Sequence, residues 1–349
     1  MTRLVYGLVY FRRRGPAGST RDASGSSPAR PFFGVVTGEN RAGVHGSRTH
    51  LGTQWCAPTT VLKTAPLTRE DAPPRQSLSL PAWPPSRQET GAIVIGLPEV
   101  LDCGVRYLVI SDIHANLEAL EAVLAAAGEC DGCLCLGDLI GYGPNPNECV
   151  ERVLALPGLT CLVGNHDMAA LGRIDAAMFN GAARAAIEWT ARILDPAVRT
   201  DLLSREPSAR GQSYAFAHGS PRDPVWEYLE EGRQGPPNFP LFDAPTCFVG
   251  HTHVPRVFVQ ESERVSQSVV QIGKPGDVLQ LHDGKRRIVN PGGVGQPRDG
   301  NPQAAYALLD AGSGEFTFRR VPYDIGLTQQ KIQRAGLPPV LASRLPLGL

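Results

Sequence analysis

From Arg106 onward the sequence predicts an α/β fold, and three observations carry that reading. Apolar runs of strand length alternate with amphipathic stretches of helix length. Gly, Pro, Asn and Asp punctuate the junctions between them. The chain then turns β-rich after Ser213. Taken in order, Tyr107–Ile110 reads as a short buried strand. Leu117–Ala127 reads as an amphipathic helix, with Asn116 as its N-cap and Gly128 as its stop. A second strand, Cys133–Leu136, leads through a Gly/Pro-rich loop to a helix over Pro146–Leu156, with proline in the first turn. A third strand, Thr160–Val163, ends at Gly164, and a helical pattern capped by Asn180 fills 180–204. Strands are then expected over Ser213–Ala217, Cys247–Val249, Val257–Gln260, Val269–Ile272, Arg287–Asn290, Ala305–Leu309 and Glu315–Arg319. The tail Gln329–Arg344 reads as a pair of short surface helices, and no internal repeat is present.

Composition divides the chain. Its 34 basic and 34 acidic side chains cancel, which removes the simplest argument for a nucleic-acid binder. The cancellation is uneven: residues 1–100 carry 12 Lys/Arg against 6 Asp/Glu, and residues 101–349 carry 22 against 28. The first hundred residues also hold 11 prolines and 11 glycines, and their apolar runs are too few and short to enclose a core. That segment is expected to be disordered, or not to be made at all if Val105, read from a GTG codon, starts the protein. The Leu4–Phe11 run lacks a signal-peptide cleavage site, and nothing reaches the roughly 18–20 apolar residues of a spanning helix. Cys133, Cys135, Cys161 and Cys247 fall in apolar runs and read as buried reduced thiols, which with no secretion signal points to the cytoplasm.

Each strand delivers polar residues at its carboxyl end, where open α/β sheets place their sites. Ser111-Asp112-Ile113-His114 follows the first strand, Gly137-Asp138 the second, and Gly164-Asn165-His166-Asp167 the third. Ala217-His218-Gly219-Ser220 and Gly250-His251-Thr252-His253 follow two later ones. Of six histidines after residue 100, five sit in these loops, and only His282, in a turn, stands apart. On extended backbone Asp112 and His114 point the same way, as do His251 and His253, so each pair is suited to chelation. Asn165 and His166 are neighbours and must diverge. Carboxylate, imidazole and amide without thiolate suit Mn, Fe, Zn, Co or Mg. Seven candidates, Asp112, His114, Asp138, Asn165, His218, His251 and His253, are too many for one ion and fit two sharing a carboxylate.

The ordered motifs SDIHAN, GDLIGYGPNP, GNHD, HGSP, GHTH and NPGGVGQPRDG resemble those of the calcineurin-like metallophosphoesterase superfamily, in its small bacterial and archaeal phosphodiesterase-like branch, over about residues 106–345. The resemblance implies an αββα sandwich of two mixed β-sheets flanked by helices, in a domain spanning 105–345. It implies one divalent ion on Asp112, His114 and His253, another on Asn165, His218 and His251, and Asp138 bridging them. His166 matches the family's histidine that is not a ligand and that protonates the leaving oxygen or steadies the phosphoryl oxygens. Its ordinary pKa of about 6.5 suits that work. The implied reaction is in-line displacement by a water shared between the ions. Asp167 either orients a neighbouring imidazole or caps a loop or helix.

Departures from the pattern narrow the substrate. The superfamily's protein phosphatases and dinucleoside tetraphosphatases carry Arg-Gly shortly after the bridging Gly-Asp; here the run is Gly137-Asp138-Leu139-Ile140-Gly141-Tyr142-Gly143. A phosphodiester or small phosphomonoester is therefore favoured. Arg222 and Arg298 are the candidates to replace that arginine, with surface or loop-bracing roles as the alternative. Asn290-Pro291-Gly292-Gly293 lacks the family-typical serine. Phe179, Asn180 and Trp189 belong to a stretch that can roof the site, though Trp189 suits core packing better. The expected partner is a small phosphoester, with no stable nucleic-acid complex and no membrane association; a homo-oligomer is left open. The alternative from another class is a catalytically silent scaffold on the same fold.

Overall fold

A computed structural model describes residues 104–211, 213–262 and 266–349. The expected disordered or untranslated extension over 1–100 lies outside the described residues.

The first half alternates strand and helix: β1 (Arg106–Ile110), α1 (Leu117–Ala127), β2 (Gly132–Cys135), α2 (Pro146–Leu154), β3 (Leu159–Cys161) and α3 (Asn165–Ala170). Two helices follow, α4 (Gly181–Ile193) and α5 (Pro196–Leu203). The β-rich part comprises β4 (Ser208–Arg210), β5 (Tyr214–Ala217), β6 (Thr246–Phe248), β7 (Arg256–Gln260), β8 (Val269–Ile272), β9 (Val278–Gln280), β10 (Arg286–Asn290), β11 (Ala304–Asp310) and β12 (Glu315–Val321). The chain closes with α6 (Ile325–Arg334) and α7 (Pro339–Ser343).

Two six-stranded mixed sheets result, ordered β3-β2-β1-β11-β12-β9 and β4-β5-β6-β10-β7-β8. β1, β2 and β3 run parallel, while β11 joins β1 antiparallel. In the second sheet β5, β6 and β10 run parallel and β7 pairs β10 antiparallel. Alternating side chains of one strand feed two cores. Tyr107 and Val109 meet Phe216, Phe248 and Phe316 between the sheets, whereas Leu108 and Ile110 face the helices with Leu120, Val123 and Val150. Burying Leu120 or Val123 to this degree stabilises the fold by about 1.5–3 kcal/mol each. The outer face of the second sheet is packed by Leu229, Phe239 and Phe242. Among the described residues no helix is long and apolar enough to cross a membrane.

Helix α1 matches its expected bounds, with the Asn116 side chain accepting from the Ala119 N–H at 3.2 Å. The single helical stretch expected over 180–204 is two helices, because Leu194 and Asp195 are extended and Pro196 restarts the chain at a first-turn position. β4, β9 and α3 were not expected; the first two are three residues long and too short to show a period. The tail helices are not merely superficial. Ile332, Leu337, Leu341 and Leu345 are buried with Tyr142, Ala183 and Ala186, so α6 and α7 pack beside the loops that follow β2.

Candidate metal centre

The loops leaving β1, β2, β3, β5 and β6 converge at one end of the two sheets and are stitched together by their backbones. The Asp112 N–H donates to Gly137 O at 3.0 Å and the His114 N–H to Asp138 O at 3.0 Å. Gly250 N–H reaches His218 O at 2.8 Å, and Gly295 N–H reaches Asp112 O at 2.9 Å. Asn290 ties the histidine-rich loop after β6, donating to Gly250 O at 2.6 Å and Thr252 Oγ1 at 3.0 Å.

The backbone here is not extended, which corrects the alternation argument. Asp112, His114, Asp138, His251 and His253 all have left-handed φ, between 50° and 66°. For residues with a Cβ this costs roughly 1–2 kcal/mol apiece, and such strain concentrates at functional sites. It also re-aims the side chains. Asp112 and His114 share a cluster with His253, but His251 turns into a different one with Asp138 and His218. In both clusters, the donor atoms lie within 4.8 Å of one another. A third cluster joins His114, Asp138 and His166. Asn165 Oδ1 is 3.3 Å from His218 Nε2, which places the amide beside the Asp138 cluster.

Backbone carbonyls fix how three of the imidazoles present themselves. Nδ1 of His114, His218 and His253 lies 3.2, 2.9 and 2.6 Å from the carbonyls of Ile140, Leu136 and Gln296. A carbonyl only accepts, so each Nδ1 carries the proton and, in the neutral ring, Nε2 is left with a lone pair. Those lone pairs are aimed at other acceptors. His114 Nε2 and His253 Nε2 are 3.2 Å apart, and His253 Nε2 is 3.3 Å from Asp112 Oδ1. His218 Nε2 and His114 Nε2 stand 3.3 and 3.6 Å from Asp138 Oδ2. Two donors each about 2.1 Å from one cation, at octahedral to tetrahedral angles, are about 3.0–3.4 Å apart. Asp138 Oδ2, His251 Nε2 and His166 Nδ1 are also buried with no hydrogen-bond partner. Divalent cations fit this donor set, since acceptors facing acceptors in a buried site need positive charge between them.

The protein's own groups displace the titrations strongly. Burial, with Asp138 adding to it against the pull of His218, raises Asp112 to about 7. Burial acts the same way on Asp138, but His218, His166 and His114 outweigh it and hold that carboxyl well below the usual range. Burial opposes protonation of His218, yet the Asp138 carboxylate overcomes it and lifts the imidazole to about 9, so that with no cation between them a proton on Nε2 supplies the positive charge the pair needs. His166 goes the other way: burial dominates and pulls it down to about 4, below the value expected from its sequence context. Its ring is enclosed by His114 at 4.8 Å, Tyr142 at 4.3 Å and Phe179 at 4.9 Å, centroid to centroid. Gly141, with φ of 84°, must lack a Cβ, which would come within 2.7 Å of His166 Nδ1.

Of the two readings of Asp167, the cap is the one realised. It accepts from the backbone N–H of Ile140 and Gly164 at 2.9 Å and of Leu139 at 3.2 Å, and among the described residues it hydrogen-bonds no imidazole. It thereby locks the Asp138 loop to the start of α3. Arg222 is engaged by Glu227, which favours loop bracing over substrate contact. Arg298 donates to Gln296 Oε1 at 2.9 Å, and its charge bears on Asp112, His114, His166, His251 and His253. Asn180 caps α4 and Trp189 packs against the Tyr142 cluster, while His282 is exposed. Phe179 reaches His166 and also packs against Trp226 at 5.2 Å. Sequence reasoning missed Tyr142, Gln296 and Tyr228. Tyr228 lies over the His251 ring at 3.9 Å, and it comes from a loop with no periodic signal.

A family model described as the calcineurin-like phosphoesterase superfamily domain matches residues 105–314. An uncharacterized protein of Methanocaldococcus jannaschii is 39% identical over 253 residues, which span 69% of this chain and 97% of that protein. The crystal structure of a metallophosphoesterase from Sphaerobacter thermophilus is 46% identical, with a TM-score of 0.65, over 70% of this chain and all of that one. A hypothetical protein from Pyrococcus horikoshii OT3, 18% identical with a TM-score of 0.54, shares the fold over 70% of this chain and 98% of its own.

Proposed function

The chain belongs to the calcineurin-like phosphoesterase superfamily, whose members are metal-dependent phosphoesterases, and from that premise we propose that it hydrolyses phosphodiester or small phosphomonoester bonds with two divalent cations. The observation that carries this reading is the set of imidazole lone pairs and carboxylate oxygens facing one another in a buried site. Asp112, His114 and His253 would hold one ion and Asn165, His218 and His251 the other, with Asp138 common to both. Ions there would supply Lewis acidity, neutralising phosphoryl charge and acidifying water.

The chain's own residues do the rest. The carbonyls of Ile140, Leu136 and Gln296 keep Nε2 of three imidazoles available. His166, neutral at pH 7 and buried beside Asp138, is placed to donate a hydrogen bond from its one ring N–H to the leaving or phosphoryl oxygen and so steady the charge that develops there. Arg298 faces the phosphoryl group as a permanently charged donor. Phe179 and Tyr228 limit water around the reacting atoms. The catalytic domain of this reading spans 105–345 and works in the cytoplasm on a small diffusible ester, in keeping with the free, largely buried cysteines among the described residues.

The test is hydrolysis of bis-p-nitrophenyl phosphate by full-length protein loaded with manganese, alongside metal analysis. Turnover that needs the metal, two ions per chain, and a fall of about 10²–10³-fold in His166→Ala are expected. Two bound ions without turnover on any phosphoester would instead identify a catalytically silent scaffold. Equal rates in His166→Ala and wild type would remove the role given to that side chain.

A further inference from the structure

The loop after Gly137-Asp138 carries no arginine of its own, and two arginines from distant segments meet beside it over Tyr142. Arg298 comes from the loop after β10, and Arg344 follows α7, beyond the 105–314 span that the family model matches. Both guanidinium groups lie over one ring: their Cζ atoms are 5.8 and 6.0 Å from the centroid of Tyr142. Tyr142 is itself packed against His114 at 4.7 Å and His166 at 4.3 Å, so the pair abuts the proposed reacting centre.

Two half-buried like charges are placed together at a cost. Burial and the Arg298 charge both weigh against the Arg344 cation. Among the described residues no carboxylate side chain forms an ion pair with either arginine. Arg298 bonds to Gln296 and to the side chain of Tyr228 and reaches toward the Tyr142 hydroxyl, and Arg344 donates through Nε to a main-chain oxygen of Leu349 at 2.5 Å. Nε of Arg298 is buried without a partner. With no acidic side chain to neutralise it, this pair of cations is suited to binding an anion. Arg298 is tied to the clustered histidines through Gln296, which accepts from it at 2.9 Å and whose carbonyl holds His253 Nδ1 at 2.6 Å, whereas Arg344 bonds to the main chain of Leu349.

We propose that Arg344, with Tyr142 and Arg298, forms an outer anion subsite that selects phosphoesters carrying a second phosphate group. The inference rests on the phosphoesterase reading above: Arg298 attends the phosphoryl group being cleaved, and Arg344 binds a second phosphate on the same small molecule by charge-assisted hydrogen bonds. The α6–α7 tail is then a specificity element attached to the catalytic domain. The buried packing of Leu341 and Leu345 against Tyr142 holds Arg344 in place.

The test measures inhibition of manganese-dependent bis-p-nitrophenyl phosphate hydrolysis by glucose 1,6-bisphosphate and by glucose 1-phosphate. The bisphosphate is expected to inhibit at about tenfold lower concentration in wild type. That preference should shrink to within about threefold of unity in Arg344→Gln and be kept only in part in Arg344→Lys, which retains the charge but not the planar guanidinium over Tyr142. Equal inhibition by the two sugars in an active wild-type enzyme, or a preference that survives Arg344→Gln, overturns the subsite and leaves the phosphoesterase reading standing. Absence of hydrolysis with any metal overturns that reading instead. The subsite is then judged by thermal unfolding, where a larger midpoint rise with the bisphosphate, lost in Arg344→Gln, supports it and equal rises refute it.

Discussion

Replacing Gly164 by Ala isolates the placement of Asp138, because the backbone there (φ −104°, ψ −173°) is one that alanine adopts freely, so any effect is steric. A Cβ at this position would stand 2.1 Å from Asp138 Oδ1, 2.6 Å from its Cγ and 2.7 Å from His218 Cε1. An ordinary carbon–oxygen contact is about 3.3 Å, so the carboxylate must retreat by about 1.2 Å. It is not free to do so, since Oδ1 accepts the His166 N–H at 2.9 Å and Oδ2 faces His218 at 3.3 Å. Overpacking of this kind costs about 1–3 kcal/mol of stability, and losing a hydrogen bond to a charged acceptor adds about 1.5–3 kcal/mol. For catalysis a misplacement near 1 Å is worth about 10²-fold. The assay is manganese-dependent hydrolysis of bis-p-nitrophenyl phosphate, with bound metal counted on the same samples and unfolding followed by circular dichroism. The expected variant is folded, less stable, short of metal and slower by about two orders of magnitude. Wild-type turnover with a full metal complement would refute the claim that Asp138 is held between two clusters by the absence of a side chain at 164.

Three further outcomes follow from the same geometry. Asp167→Asn turns an NH2 group toward backbone donors now satisfied by Oδ1 and Oδ2; a loss of about 1–3 kcal/mol in urea unfolding is expected, and a change under 0.5 kcal/mol would show that the clasp on Leu139, Ile140 and Gly164 contributes little. Manganese affinity should rise with pH, because His218, lifted to about 9, is protonated at neutral pH and must lose that proton to become a ligand; about tenfold per pH unit from 7.5 to 8.5, above the value of about 7 to which Asp112 is raised, is expected by calorimetry, and a flat profile there would contradict the assignment of His218. Leu341→Ala removes a side chain that is 1% exposed and should cost about 2–5 kcal/mol; an unchanged melting temperature would show that α6 and α7 are not part of the domain's core.

Much of this protein is written locally. The strand and helix bounds around β1 and α1 follow from period, a cap at Asn116 and a stop at Gly128, all of which act over a few residues. The polar residues at strand ends are equally legible, because a parallel sheet carries the ends of its strands to one edge whatever the rest of the chain does. Sequence also supplied the donor chemistry, since carboxylate, imidazole and amide without thiolate are visible in the motifs themselves.

How those donors divide was decided only by the tertiary structure. Left-handed backbone at His251 and His253 sends neighbours that alternation would align into different clusters, and such strain is sustained only where surrounding loops enforce it. The tautomers of His114, His218 and His253 are set by carbonyls 26, 82 and 43 residues away in sequence. The fall of the His166 pKa to about 4 comes first from burial, a property of the assembled site and not of a motif. The meeting of Arg298 with Arg344 over Tyr142 has no local signal, because lone arginines in loops acquire a partner only when the packing of α6 and α7 brings them together.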